Sequence, residues 1–81
     1  MAQVTVRYYA GAAAAAGCTD ETRDADTIAA LIVSIERDHD ARLKRVLAIA
    51  SFLVDGTIAS DRTAPLTSGS TVDVLPPFAG G

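Results

Sequence analysis

The amino-acid sequence predicts an α+β fold in which a mixed sheet is covered on one face by one main helix. Residues 3–9 alternate between two faces of an extended chain, as in a half-buried strand. From Ile28 to Ile35 the apolar residues recur at i, i+3, i+4 and i+7, which places them on one face of a helix. The pair Asp55-Gly56 between two strand-like runs is a strong hairpin signal.

Length and composition limit the classes of protein that the chain can belong to. Its 81 residues are enough for one small domain, and a hydrophobic content of 49% suffices for a globular core. No apolar run reaches the ~18 residues of a membrane span, and the first residues lack a signal-peptide pattern, so we expect a cytoplasmic protein with no membrane partner. The formal charge of −3 and the lack of a basic stripe argue against nucleic acid as a partner.

The remaining elements follow in order along the chain. The segment "AGAAAAAG" predicts one or two helical turns that stop at Gly17, and the polar segment after it predicts a short edge strand and a turn. Residues 41–47 are compatible with another helical turn or with an irregular link. Strand-forming residues fill 48–54, a return strand is expected at 57–60, and residues 71–75 alternate as a last strand. First and last strands side by side at the sheet centre would be consistent with a β-grasp fold.

Two residues that often carry chemistry stand alone in this sequence. Cys18 has no second cysteine for a disulfide, which fits a reducing compartment, and nothing in the sequence brings it together with His39. His39 is expected to be exposed near the C-terminus of the main helix. Because the sequence has no metal-ligand spacing, cofactor loop or convergent acid–base pair, we expect no metal site and no enzymatic activity of the chain alone.

Four stretches of the chain carry a resemblance to a known family. They are "VTVRYYAG", "DTIAALI", "FLVDGTIA" and "PLTSGSTVDVLPPFAGG". Together they resemble the ubiquitin-like sulfur carrier family, and within it the small subunit of molybdopterin synthase most of all. The last stretch is the specific one, because it ends in a double proline and a terminal Gly-Gly. The resemblance implies a ubiquitin-like β-grasp domain over residues 1–75, followed by an extended C-terminal tail over residues 76–81.

The resemblance also implies a function for the terminal carboxylate of Gly81. An ATP-dependent activating enzyme would adenylate this carboxylate, and sulfur would then replace the AMP to leave a thiocarboxylate. The sulfur would pass to a pterin precursor held by the large subunit of molybdopterin synthase, with the two kinds of subunit in a heterotetramer. ATP would be used by the activating partner, so no cofactor is implied for this chain.

The residue types of the tail suit insertion into such a partner. The residues expected to enter the partner are Pro76, Pro77, Phe78, Ala79, Gly80 and Gly81. The two glycines have no side chains, so a narrow channel could admit their backbone. The two prolines favour an extended lead into that channel. Phe78 is expected to anchor in a partner's pocket, with docking onto its own domain as the alternative.

An apolar patch beside the tail is a second candidate for partner contact. Phe52 and Leu75 are the residues predicted for it, on the open face of the sheet. The alternative places Phe52 in the core, because the sequence alone does not fix the strand register.

Three other functions remain compatible with the sequence. The chain could carry sulfur for the biosynthesis of thiamine or cysteine instead of molybdopterin. It could be a ubiquitin-like protein modifier, joined through Gly81 to lysines of other proteins. It could also be a plain interaction domain whose tail has no chemical role.

Overall fold

The structure, a computed structural model, describes residues 2–77 of the chain. Within these residues, five strands and three helices follow one another. In chain order they are β1 (Gln3–Tyr8), α1 (Gly11–Ala16), β2 (Asp20–Asp24), α2 (Ile28–Asp38), α3 (Ala41–Ile49), β3 (Ser51–Val54), β4 (Thr57–Ile58) and β5 (Thr71–Leu75).

The strands of the described residues form one mixed sheet with the order β2-β1-β5-β3-β4. The first and last strands, β1 and β5, run parallel at the centre, with Val6 opposite Val72. The pairs β1–β2, β3–β4 and β3–β5 are antiparallel. This arrangement confirms the predicted α+β class and the β-grasp placement of the first and last strands.

The core lies between one face of this sheet and the helices. Val4, Val6 and Tyr8 of β1 are buried while the residues between them are exposed, which is the alternation that the sequence predicts. The largest fully buried side chains are Ile28, Leu31, Ile35, Leu43, Leu47, Val4, Val6, Val72 and Val74. Both α2 and α3 therefore contribute apolar side chains to one continuous core.

The main helix α2 begins at a capped N-terminus. Thr27 keeps extended backbone, and its Oγ1 accepts a hydrogen bond from the Ala30 N–H at 3.1 Å. The helix buries Ile28, Leu31 and Ile35, which are three of the four positions that define the predicted apolar face. It ends at Asp38, because the next residue returns to extended backbone.

The structure resolves the alternatives left open for residues 41–47 in favour of a helix. Helix α3 runs from Ala41 to Ile49, so it also takes two residues that the sequence assigns to the following strand. The Asp40 carboxylate caps it by accepting from the backbone N–H groups of Arg42 and Leu43. The helical cover of the sheet is therefore wider than one main helix.

The predicted hairpin lies between β3 and β4. Asp55 and Gly56 both have positive φ, at 49° and 87°, as a two-residue hairpin of this twist requires. The turn is also fastened to β5, because the Asp55 carboxylate accepts from the Thr71 N–H at 2.9 Å. This contact fixes the start of the strand that leads into the tail.

Candidate functional site: the tail base and the open face of the sheet

The first residues of the predicted tail, Pro76 and Pro77, follow the end of a central strand. β5 lies between β1 and β3, and it ends at Leu75, which pairs with Ser51. Pro76 is half-buried and Pro77 is exposed. The predictions for Phe78, Ala79, Gly80 and Gly81 lie outside the described residues. The described residues thus give the tail a base that is hydrogen-bonded on both sides.

An apolar patch lies on the open face of the sheet next to this base. It consists of Leu53, Ile58 and Leu75, which we call the open-face patch. Leu53 and Ile58 are directly paired across β3 and β4, and Ile58 is 70% exposed. Leu75 lies diagonally from Leu53 on the neighbouring strand. Leu53 and Leu75 are half-buried, so Ile58 is the most exposed member of the patch. Apolar side chains that are grouped at a surface in this way are typical of protein-binding sites.

The prediction that Phe52 joins Leu75 in this patch is wrong. Phe52 pairs with Val74 across β3 and β5, and both side chains point into the core. Because side chains alternate along a strand, Leu75 lies on the opposite face of the sheet. Phe52 is only 2% exposed, and the guanidinium of Arg62 lies 5.2 Å from the centre of its ring. Leu53, and not Phe52, lies beside Leu75 on the open face.

A polar cluster of Arg7, Tyr9 and Asp73 borders the open-face patch. Arg7 donates to the Tyr9 hydroxyl from Nε at 3.0 Å and also from Nη2. The Arg7 Nε lies 3.3 Å from an Asp73 carboxylate oxygen, which also accepts from the Tyr9 hydroxyl at 3.3 Å. The Arg7 side chain is 53% exposed, whereas that of Asp73 is 16% exposed. We call these three residues the Arg7 cluster.

A second polar network lies on the helix side of the sheet. The Glu21 carboxylate accepts from the Tyr8 hydroxyl and lies 3.0 Å from His39 Nε2 and 3.1 Å from Arg23 Nη2. Arg23 also reaches Asp38 at 2.8 Å, so the network joins β1, β2 and α2. The predicted exposure of His39 is wrong, because its side chain is only 16% exposed.

Burial and hydrogen bonds act in opposite directions on Glu21. Burial alone raises the pKa of its carboxyl, but hydrogen bonds from Tyr8, His39 and Arg23 outweigh that effect and hold the pKa below its usual value. Burial and the contact with the Glu21 carboxylate raise the pKa of the Tyr8 hydroxyl, so Tyr8 stays a donor. The network is thus built around an ionised Glu21.

Replacing Glu21 should make the free energy of unfolding less sensitive to low pH. Because the folded pKa is lower than the unfolded value of about 4.3, the ionised carboxylate stabilises the fold above about pH 5, and this contribution is lost as the pH falls through the folded pKa. Glu21→Gln should lower the free energy of unfolding at neutral pH by about 1–2 kcal/mol and flatten its decline in acid. Urea unfolding between neutral pH and about pH 3 measures both effects.

Glu36→Gln is the matched control for this measurement. Glu36 lies on α2 and makes no ion pair or side-chain hydrogen bond within residues 2–77. Its replacement should leave the pH profile of the wild type unchanged. A Glu21→Gln profile that falls as steeply in acid as the wild type would contradict the assignment of the acid sensitivity to Glu21.

Cys18 has the surroundings of an unreactive thiol. It is half-buried, and burial followed by the nearby Glu21 and Asp20 carboxylates raises the pKa of the thiol. Among residues 2–77, no three side chains of the metal-binding types are grouped closely enough to hold a metal ion. No helix in this part of the chain is long and apolar enough to cross a membrane.

A groove of about 280 Å³ lies at the hairpin end of the sheet. Val54, Thr57 and Ile58 line it from the hairpin, and Pro65 and Leu66 line it from the loop before β5. Because β5 starts beside Val54 and ends beside Ser51, this groove and the tail base lie at opposite ends of the strand. Only Ile58 belongs both to the groove and to the open-face patch.

Comparison with known proteins shows the family of the chain. The model of the ThiS family matches residues 6–81, which is nearly the whole sequence. No curated protein matches the chain significantly.

Solved structures with low sequence identity share the fold. Small archaeal modifier protein 1 from Methanosarcina acetivorans superimposes with a TM-score of 0.87 at 21% identity, covering 100% of this chain and 98% of that chain. A protein assigned as molybdopterin converting factor subunit 1 from Pyrococcus furiosus superimposes with a TM-score of 0.84 at 24% identity, covering 96% of this chain and 100% of that chain. A structure from Helicobacter pylori contains subunits 1 and 2 of molybdopterin-converting factor in complex. It superimposes with a TM-score of 0.76 at 20% identity, covering 98% of this chain and 99% of that chain.

Proposed function

We propose that this chain, which belongs to the ThiS family, carries sulfur on its C-terminal glycine as the small subunit of molybdopterin synthase. The observation that carries the proposal is the "LPPFAGG" end, which follows directly from the central strand of a β-grasp sheet. The fold that it shares with subunit 1 of molybdopterin-converting factor supports the same pathway. Catalytic residues are expected on the large subunit, so the chain would supply sulfur without being the catalyst.

The chemistry begins at the Gly81 carboxylate, which is ionised at neutral pH because a terminal carboxyl has a pKa near about 3.5. A carboxylate is a poor electrophile. In the activating enzyme one of its oxygens would attack the α-phosphorus of ATP, so that an acyl adenylate forms and pyrophosphate leaves. A hydrosulfide equivalent from a sulfur donor would then attack the acyl carbon and expel AMP. The product is a thiocarboxylate, whose sulfur remains nucleophilic.

The described residues would hold the domain while the tail enters its partners. β5 is paired on both sides and tied to the hairpin, so its end at Leu75 is a fixed starting point. Pro76 and Pro77 restrict φ in the first part of the tail, which lowers the entropy lost on insertion. The open-face patch would lie against the surface around the entrance of the partner's channel.

The proposal requires two protein partners. One is an ATP-dependent activating enzyme, and the other is the large subunit of the synthase, with the small and large subunits assembled as a heterotetramer. The Helicobacter pylori complex supports a partner of the second kind, because it contains subunit 1 and subunit 2 of molybdopterin-converting factor.

A second candidate function is favoured by the likeness to small archaeal modifier protein 1. In that case the activated Gly81 would be transferred to amino groups of other proteins and form amide bonds. Sulfur carriage for thiamine or cysteine biosynthesis is a third candidate, because it needs the same activated glycine and a different acceptor.

Mass spectrometry of the chain distinguishes these functions. Co-expression with the activating enzyme and a sulfur source should increase the C-terminal mass by about 16 Da, because sulfur replaces one carboxylate oxygen. A chain that lacks Gly81 should remain unmodified, and it serves as the control. The converted chain should then convert a pterin precursor when the large subunit is added.

The outcomes of this experiment separate the candidates. If the species with the added mass is absent although the activating enzyme is active, sulfur carriage is overturned. High-mass conjugates that disappear when Gly81 is deleted would instead support a protein modifier. A thiocarboxylate that forms but fails with the large subunit would point to another sulfur pathway.

A further inference from the structure

We propose that Arg7 is a specificity-determining residue, which binds a carboxylate on the surface of the protein partner that receives the tail. This inference rests on the proposed function, since it assumes a partner that covers the open face of the sheet. It adds a requirement on that partner, namely an aspartate or glutamate beside the apolar surface that meets the open-face patch.

Arg7 lies close enough to the end of β5 that a partner bound around the start of the tail would also cover Arg7. The Tyr9 N–H donates to the Val74 carbonyl at 3.2 Å, one residue before Leu75. Asp73 pairs with Leu53 of the open-face patch across β3 and β5. The Arg7 cluster is therefore continuous both with the patch and with the start of the tail.

The hydrogen bonds of Arg7 occupy one edge of its guanidinium and leave the other edge open. Nε and Nη2 both donate to the Tyr9 hydroxyl, and Nε also pairs with Asp73. The guanidinium carbon lies 5.6 Å from the centre of the Tyr9 ring, which further restricts the side chain. The edge formed by Nη1 and Nη2 makes no other hydrogen bond within residues 2–77. The open edge is thus held in a defined orientation before any partner arrives.

The chemistry of this edge selects its acceptor. Its two N–H groups are parallel, and they match the two oxygens of one carboxylate in a bidentate pair. A partner that covered them without an acceptor would remove their hydration at a large cost. Asp20 lies opposite Arg7 on β2 and acts on it electrostatically, but the two side chains form no ion pair within residues 2–77. The described strand residues of the open face contain no other basic side chain. Among these strand residues, Arg7 would therefore be the one cationic contact for a partner carboxylate.

Binding of the large synthase subunit of the same organism tests the inference. Its affinity for the full chain is measured by calorimetry at low and at high salt. Arg7→Gln should weaken binding by about 10- to 100-fold and reduce its salt dependence, because a charge-assisted bidentate contact is lost. Arg7→Lys should recover only part of the affinity, since an ammonium keeps the charge without the fork. Arg45→Gln, which removes an exposed charge from α3, should bind like the wild type.

A double variant excludes a simpler explanation. Arg7→Gln also leaves the charge of Asp73 without its partner, and that charge could by itself repel the large subunit. The chain with both Arg7→Gln and Asp73→Asn should therefore remain as weak as Arg7→Gln alone. Wild-type affinity of this double variant would show that Arg7 only neutralises Asp73, and it would overturn the inference.

Three further outcomes would also overturn it. If Arg7→Gln binds the large subunit with unchanged affinity, Arg7 does not contribute to binding, although the proposed function remains possible. A weakened Arg7→Gln complex with wild-type salt dependence would identify a neutral acceptor instead of a carboxylate. If the wild-type chain itself formed no complex, the proposed function would fail together with the inference.

Discussion

A single residue added after Gly81 should abolish sulfur carriage without affecting the fold. The added residue would displace the reacting acyl carbon along the chain by about 3.3–3.6 Å. Displacements of about 1 Å can already reduce catalytic rates by about 100-fold, so we expect at least that loss in thiocarboxylate formation. Mass spectrometry after incubation with the activating enzyme, ATP and a sulfur donor measures the modified fraction.

The same residue added before Met1 is the matched control. It increases the length of the chain equally but leaves the C-terminal carboxylate in place. Both extended chains should unfold at the wild-type temperature, because residues 2–77 contain the whole described core. A C-terminally extended chain that still gains sulfur at the wild-type rate would show that the terminal glycine is not the reacting group. An interaction domain with an irrelevant tail would tolerate both extensions.

The candidate site is visible in the sequence to the extent that it depends on residue type. The prolines and glycines of the tail predict an extended segment that a narrow channel could admit, because their backbone properties are intrinsic to each residue. The chemistry of Gly81 is implied only by the resemblance to the family. The open-face patch depends instead on which face of β3 is buried. The hairpin at Asp55-Gly56 does place Leu53 and Ile58 on one face, but it does not say whether that face is the core. For this reason the sequence allows Phe52 on either face, and the prediction that places it in the patch is wrong.

The polar contacts could not be predicted for a different reason. Tyr8 lies on β1, Glu21 lies on β2 and His39 directly follows α2, so their contact depends on the packing of α2 against the sheet. The Arg7 cluster likewise joins β1 to a strand more than sixty residues later. No local pattern in the sequence indicates pairings at such separations. Both networks become visible only once the register of the sheet is known.

Helix α3 shows how local signals can compete. Leu43, Val46 and Leu47 have helical spacing, but the strand-forming residues that follow obscure where the helix ends. Tertiary packing favours the helix, because α3 buries Leu43 and Leu47 in the common core and contacts α1 and α2. Propensity over such a short segment is a weak guide when burial favours another outcome.

Truncating Leu47 should therefore cause a large loss of stability. Its side chain is fully buried on α3, and Leu→Ala changes at buried sites cost about 2–5 kcal/mol. A domain of this size is stable by only about 4–12 kcal/mol, so Leu47→Ala should remove a large part of the total. The midpoint of thermal unfolding should fall by about 10 °C or more.

Ile49→Ala is the matched control, because Ile49 lies on the same helix and is 66% exposed. Its truncation creates no cavity and should change the free energy of unfolding by less than about 0.5 kcal/mol. Thermal and urea unfolding of the two variants should thus differ widely, although each loses a side chain of similar size. Equal effects of the two substitutions would mean that α3 does not pack through Leu47, and the helix would then be a surface segment without a part in the core.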